Sequence, residues 1–93
     1  MEKETKSLIK EYMLKAGHLV FNVFQCKKNN YGNKKGIADL IGCLNGGKFF
    51  AIETKSKGGT LSDEQAEFLD WVRRTGGISI VAYSLDDVIR GLK

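Results

Sequence analysis

Residues 36–55 read GIADLIGCLNGGKFFAIETK: two apolar runs, IADLIGCL and KFFAIETK, on either side of Asn45-Gly46-Gly47. Runs of that length, rich in β-branched and aromatic residues and separated by a glycine-rich turn, read as a β-hairpin. Each strand carries one acid, Asp39 and Glu53, and no other carboxylate lies between Tyr12 and Ser62. Burying an unpaired carboxylate is costly, so a strand keeps one only where a cation, a hydrogen-bond network or a metal compensates it. Lys55 follows Glu53 by two positions, which puts both side chains on one face of the sheet. Whether Asp39 shares that face depends on the loop. A loop of Gly46 and Gly47 alone would set Asp39 opposite Thr54 and turn it away from Glu53, whereas a loop that includes Asn45 sets it opposite Glu53. We expect the three-residue loop, with a glycine in the left-handed region. A bent strand end at Asp39, where alternation fails, is the other possibility.

Toward the N-terminus, residues 3–16 carry Leu8, Ile9, Tyr12, Met13 and Ala16 at helical spacing before Gly17, which predicts an amphipathic helix that buries this stripe. LVFNVFQ, residues 19–25, has the composition of a strand, and KKNNYGNKK within residues 26–36 is a polar, basic turn segment. Toward the C-terminus, SKGGT at 56–60 breaks the strand pattern, and Ser62-Asp63-Glu64-Gln65 has the form of a capping box. The helix it opens is expected to run to about Thr75, to bury Ala66, Leu69 and Trp71 or Val72, and to stop at Gly76-Gly77. ISIVAY at 78–83 reads as a strand, and Ser84 caps a short last helix through Leu92. The order is αβββαβα. Its last strand follows a helix and joins the sheet by a crossover, giving an α/β (α+β) fold with a mixed central sheet flanked by helices.

At 93 residues and 42% hydrophobic content the chain is expected to form a single domain, 1–93, with a core of marginal size, a shortage that a homodimer would relieve. Fifteen Lys and Arg against eleven Asp and Glu leave a net charge of +4, which suits a polyanionic partner. No apolar stretch approaches the roughly 20 residues of a membrane span. The opening MEKETKSLIKEY is charged rather than signal-like, so an intracellular, cytoplasmic protein is expected. Cys26 and Cys43 form no CxxC pair and His18 is the one histidine, so no zinc ligand set exists and any metal would be held by oxygen. Both cysteines read as small reduced apolar residues, and His18, just after Gly17, as a group that bonds the carbonyls of a helix end.

Gly36-Ile37-Ala38-Asp39, a hairpin, Ile52-Glu53-Thr54-Lys55 and then Gln65 opening the next helix resemble the VRR-Nuc family of the PD-(D/E)xK nuclease superfamily. The similarity runs from the first helix to about Tyr83, with Ala38 where the superfamily often has proline. It implies a restriction-endonuclease-like fold and a metal-dependent nuclease. Standalone members of this length look like phage or bacterial structure-specific nucleases, so branched DNA such as four-way junctions is the implied substrate. In resolvase-like relatives a first-helix glutamate approaches the metal; Glu4 is the best match, with Glu11 second. Gln65 matches the family glutamine that would bond Lys55, a water or a carboxylate.

The chemistry of the residues agrees. Phosphodiester hydrolysis needs a nucleophilic water, charge stabilisation on the non-bridging oxygens and help for the leaving oxygen. Mg²⁺ or Mn²⁺ serves all three, with Asp39, Glu53 and the Thr54 carbonyl as hard ligands. Lys55 would orient the water and offset developing charge. Lys27, Lys28, Lys34 and Lys35, with Tyr31, lead into Asp39 and suit phosphate contacts beside the cut, and Lys57 and Lys48 would extend that surface. Plainer readings stand beside these. The acids could be salt-bridged to Lys55 or Lys48 in an ordinary sheet, Gln65 could serve only the cap, Glu4 could be a solvated charge at a helix N-terminus, and the lysine run a solubilising turn. A nucleic-acid-binding module without turnover is the alternative function.

Overall fold

The computed structural model describes residues 2–23 and 36–93. Helix α1 (Glu2–Lys15) leads into strands β1 (Leu19–Asn22), β2 (Leu40–Cys43) and β3 (Phe49–Thr54), followed by helix α2 (Asp63–Arg74), strand β4 (Ile78–Ala82) and helix α3 (Leu85–Gly91). The predicted αβββαβα order holds. One sheet runs β1-β2-β3-β4, with the first two pairings antiparallel and β3–β4 parallel through the α2 crossover.

The hairpin adopts the longer loop. Leu44 N–H donates to the Lys48 carbonyl at 2.7 Å and Gly47 N–H to the Leu44 carbonyl at 2.7 Å, leaving Asn45, Gly46 and Gly47 outside the ladder. Gly46 and Gly47 have φ of 110° and 101°, a region open to glycine at little cost. In the resulting register Cys43 faces Phe49 and Leu40 faces Ile52, so the next step puts Asp39 opposite Glu53. β2 is shorter than the apolar run suggested. It begins at Leu40, and Asp39 occupies a bend just before it. Gly36, at φ +85°, explains the approach to that bend: a Cβ there would collide with the backbone of Glu64 and Gln65, so glycine lets the chain lie against the first turn of α2.

Helices cover the two faces of the sheet unequally. Ile9 and Met13 of α1 and Val88 of α3 pack with Val20, Leu40, Phe50, Ile52, Ile80 and Ala82 on one face. On the other, Leu69 and Val72 of α2 pack with Ala38 and Ala51, with Ile41 and Val81 at the margin. α2 lies over β3 and β4. No described helix covers the β1–β2 half of that face, where Leu19 is 54%, Phe21 53% and Phe49 38% exposed.

Four burial or bonding expectations are corrected. Leu8 and Ala16 are exposed, because α1 makes its contact along the narrow Ile9–Met13 row with Tyr12 beside it. Ala66 is exposed too, and of the Trp71 and Val72 alternatives the helix buries Val72. α2 buries Leu69 and Val72, and the Trp71 ring instead lies under the Arg74 guanidinium, 4.6 Å from its centroid. The His18 backbone N–H, rather than its ring, bonds a helix-end carbonyl, that of Met13 at 3.1 Å; the ring Nδ1 accepts the Asn45 N–H at 2.7 Å, tying the end of α1 to the hairpin loop. Cys43 is a free thiol, and Cys26 lies outside the described residues.

Candidate active site

Asp39 is held from both sides of β2. Its carbonyl accepts the Val23 N–H at 2.9 Å, and its carboxylate Oδ2 accepts both the Thr54 N–H at 2.9 Å and the Thr54 hydroxyl at 2.7 Å. Glu53 stands across from it on β3, with only 3% of its surface exposed. Its Oε2 accepts from Gln65 Nε2 at 3.2 Å and lies 3.8 Å from Lys55 Nζ. Its Oε1 is buried and has no hydrogen-bond partner among the described residues. Burial first, then the charge of Asp39, then a hydrogen bond between the two carboxyl groups, push the Glu53 pKa up to about 7; Lys55 and a hydrogen bond from the Asp39 backbone oppose that rise.

Gln65 settles a choice that the sequence left open. Its Oε1 accepts the Ser62 N–H at 2.9 Å and its backbone N–H donates to Ser62 Oγ at 3.1 Å, which completes the capping box. Its Nε2 serves Glu53 at the same time. Cap and site share one amide. Lys55 is fixed where β3 ends, its backbone N–H donating to the Ala82 carbonyl at 3.0 Å while its side chain lies mostly buried beside Glu53.

A carboxylate pair on a hairpin, an adjacent ammonium and a helix-opening glutamine thus meet in one place. The family model for the VRR-NUC domain matches residues 2–86. The chain belongs to the VRR-NUC domain family. Solved structures agree on the fold. A VRR_NUC domain protein superposes with a TM-score of 0.76 at 20% identity, over 99% of this chain and 84% of its own. A second structure, described as a VRR_NUC domain, gives a TM-score of 0.77 at 22% identity, over 98% of this chain and 92% of its own. Among curated proteins nothing matches this chain. The VRR-NUC domain is of nuclease type, and such a domain implies DNA as its substrate. Among the described residues no helix is long and apolar enough to cross a membrane.

The VRR-NUC domain does not gather every expected residue. Glu4 is exposed on α1, whose buried Ile9 and Met13 belong to the sheet face opposite Glu53. Among the described residues no three His, Cys, Asp or Glu side chains form a group that could hold a metal, so neither Glu4 nor Glu11 joins the pair. Lys48 sits at the far end of β3 and reaches neither acid, whereas Lys57 is exposed just beyond Lys55. Lys27, Lys28, Tyr31, Lys34 and Lys35 lie outside the described residues.

The site of this VRR-NUC domain fits a hard divalent cation on its own chemistry. Two carboxylates face each other, and Oε1 of Glu53 is buried with no hydrogen-bond partner among the described residues. The Thr54 carbonyl lies on the Asp39 side of β3, because a strand residue's N–H and C=O point to the same neighbour and Thr54 N–H points to Asp39. The role of the Thr54 hydroxyl was not foreseen from the sequence. The only local hint was a hydroxyl residue set between Glu53 and Lys55, on the strand face that alternation turns away from them.

Proposed function

We propose that this VRR-NUC domain is a metal-dependent endonuclease that hydrolyses phosphodiester bonds in branched DNA such as four-way junctions, as expected of the PD-(D/E)xK nucleases that the sequence resembles. The observation that carries this reading is Glu53 Oε1, buried without a hydrogen-bond partner among the described residues and beside a second carboxylate. An oxygen left in that state costs about 1–3 kcal/mol, a cost that Mg²⁺ or Mn²⁺ would relieve while neutralising both acids. Asp39, Glu53 and the Thr54 carbonyl would hold the ion. When bound, such an ion polarises the scissile phosphate and acidifies a water.

The chain's own groups do the remaining work. Thr54 orients Asp39, and Gln65 orients Glu53. The Lys55 ammonium, held near Glu53 Oε2, would orient the attacking water and offset negative charge growing on the phosphate oxygens. Lys27, Lys28, Lys34, Lys35 and Lys57, with Tyr31, would bind the DNA backbone on either side of the cut. A two-fold homodimer would offer two sites to two strands of a junction. The uncovered face bearing Leu19, Phe21 and Phe49 supports such pairing, whereas Trp71 is already stacked under Arg74. Residues 1–93 act in this reading as one domain in the cytoplasm.

Incubation with four-way junctions, flaps, single strands and linear duplex, with Mg²⁺, Mn²⁺ or a chelator, tests the proposal. Metal-dependent cleavage of branched substrates is expected. Tight binding with every substrate left intact would identify a binding module instead.

A further inference from the structure

Asp39 stands where the β2–β3 ladder breaks. Leu44 and Lys48 form a hydrogen-bonded pair, as do alternate positions along the register, so a continued ladder would give the Thr54 N–H to the carbonyl of Ala38. The bend replaces that carbonyl with a side chain. Thr54 N–H and Thr54 Oγ1 both donate to Asp39 Oδ2, at 2.9 and 2.7 Å, while the Asp39 backbone is tied to Val23 on the other side. Thr54 is only 1% exposed, so water does not compete for either bond. A hydroxyl at 2.7 Å from a carboxylate oxygen is a strong, short hydrogen bond. With one oxygen held by two donors from a single residue, the carboxylate plane cannot swing freely about its terminal bond.

Building on the metal-dependent reading above, we propose that the Thr54 hydroxyl is a positioning group for Asp39, fixing its carboxylate so that a divalent cation meets a preorganised ligand. The backbone N–H would be supplied by any residue except proline at this position. The hydroxyl is specific to threonine or serine. Valine has nearly the shape of threonine and lacks only that donor, which makes Thr54→Val the substitution that isolates it.

Mn²⁺ titrated into the full chain by calorimetry tests this, with the melting temperature recorded on the same samples. Thr54→Val is expected to bind Mn²⁺ roughly 10–100-fold more weakly than wild type, the usual effect of losing a partner that orients a ligand. Thr54→Ser should return the affinity close to wild type, and Asp39→Ala should lose it. Wild-type affinity in Thr54→Val alongside loss in Asp39→Ala would overturn the role of the hydroxyl and leave the metal site standing. A Thr54→Ser protein as weak as Thr54→Val would overturn it equally. Wild-type affinity in Asp39→Ala would remove the metal site itself and the proposal with it. If Thr54→Val does not fold, Thr54→Ala compared with Thr54→Ser on the same titration separates the same outcomes.

Discussion

Gln65 Nε2 donates to Glu53 Oε2 at 3.2 Å while Oε1 of the same amide accepts the Ser62 N–H at 2.9 Å. An amide carries a donor and an acceptor at opposite corners, so one side chain closes a helix cap and orients an acid of the site. Glutamate at this position would keep the capping box and lose the donor to Glu53. Gln65→Glu is therefore expected to melt below the wild-type temperature at neutral pH, from repulsion against Glu53, and to cleave junction DNA at least about tenfold more slowly, whereas Gln65→Ala loses about 1 kcal/mol of stability with the cap. Wild-type cleavage by Gln65→Glu would confine the glutamine to the cap.

The metal-free protein should lose stability as pH rises. Glu53 has its pKa raised from 4.5 to about 7, so the folded chain binds this proton more tightly than the unfolded chain does. Its contribution is therefore complete below pH 4.5 and is lost as pH climbs to about 7. At roughly 1.4 kcal/mol per unit the loss is about 3 kcal/mol. Asp87, lowered from 3.8 chiefly by the Tyr83 N–H, acts in the opposite sense below this window. Urea unfolding across that range should show the decline in wild type and its absence in Glu53→Gln.

In the proposed mechanism Lys55 serves the chemistry rather than the holding of the ion. Lys55→Ala should still bind Mn²⁺ and junction DNA while cleaving about 100-fold more slowly, the scale of one positioned proton-transfer or charge-stabilising group. Single-turnover rates at saturating metal measure this, and an undiminished rate would take Lys55 out of the mechanism.

The uncovered sheet face should govern assembly. Wild type is expected to sediment at twice its 10.3 kDa chain mass. Phe21→Glu, which sets a charge on an aromatic already 53% exposed, should give a monomer with little loss of fold stability. A wild-type monomer, or a Phe21→Glu dimer, would remove this face as the interface.

Neutralising Lys27, Lys28, Lys34 and Lys35 together should weaken DNA binding and flatten its salt dependence. Each lysine that contacts a phosphate contributes roughly 0.9 to the slope of log affinity against log salt. An unchanged slope in fluorescence titrations would make the segment a solubilising turn.

The parts legible in the sequence were those with a local signal. Ser62 and Gln65 announced the start of α2, and Asn45-Gly46-Gly47 announced the hairpin turn, with the longer of its two possible loops the one adopted. Leu8 and Ala66 were misjudged because burial depends on what lies across from a helix, and the neighbours of α1 and α2 leave those two uncovered. Glu4 failed to join the pair for a similar reason. Resemblance put it near the metal, but α1 packs on the opposite face of the sheet.

By itself the sequence determined the order of the elements, the place of the hairpin turn and the same-face spacing of Glu53 and Lys55, since periodicity, caps and turn chemistry act over a few residues. Tertiary structure alone decided that β2 bends at Asp39, that the Thr54 hydroxyl takes up the freed carboxylate, and that Gln65 reaches Glu53 from its cap. Those contacts join residues 12 to 15 positions apart, and only the packing of α2 against the sheet and the break in the ladder bring their atoms within bonding distance.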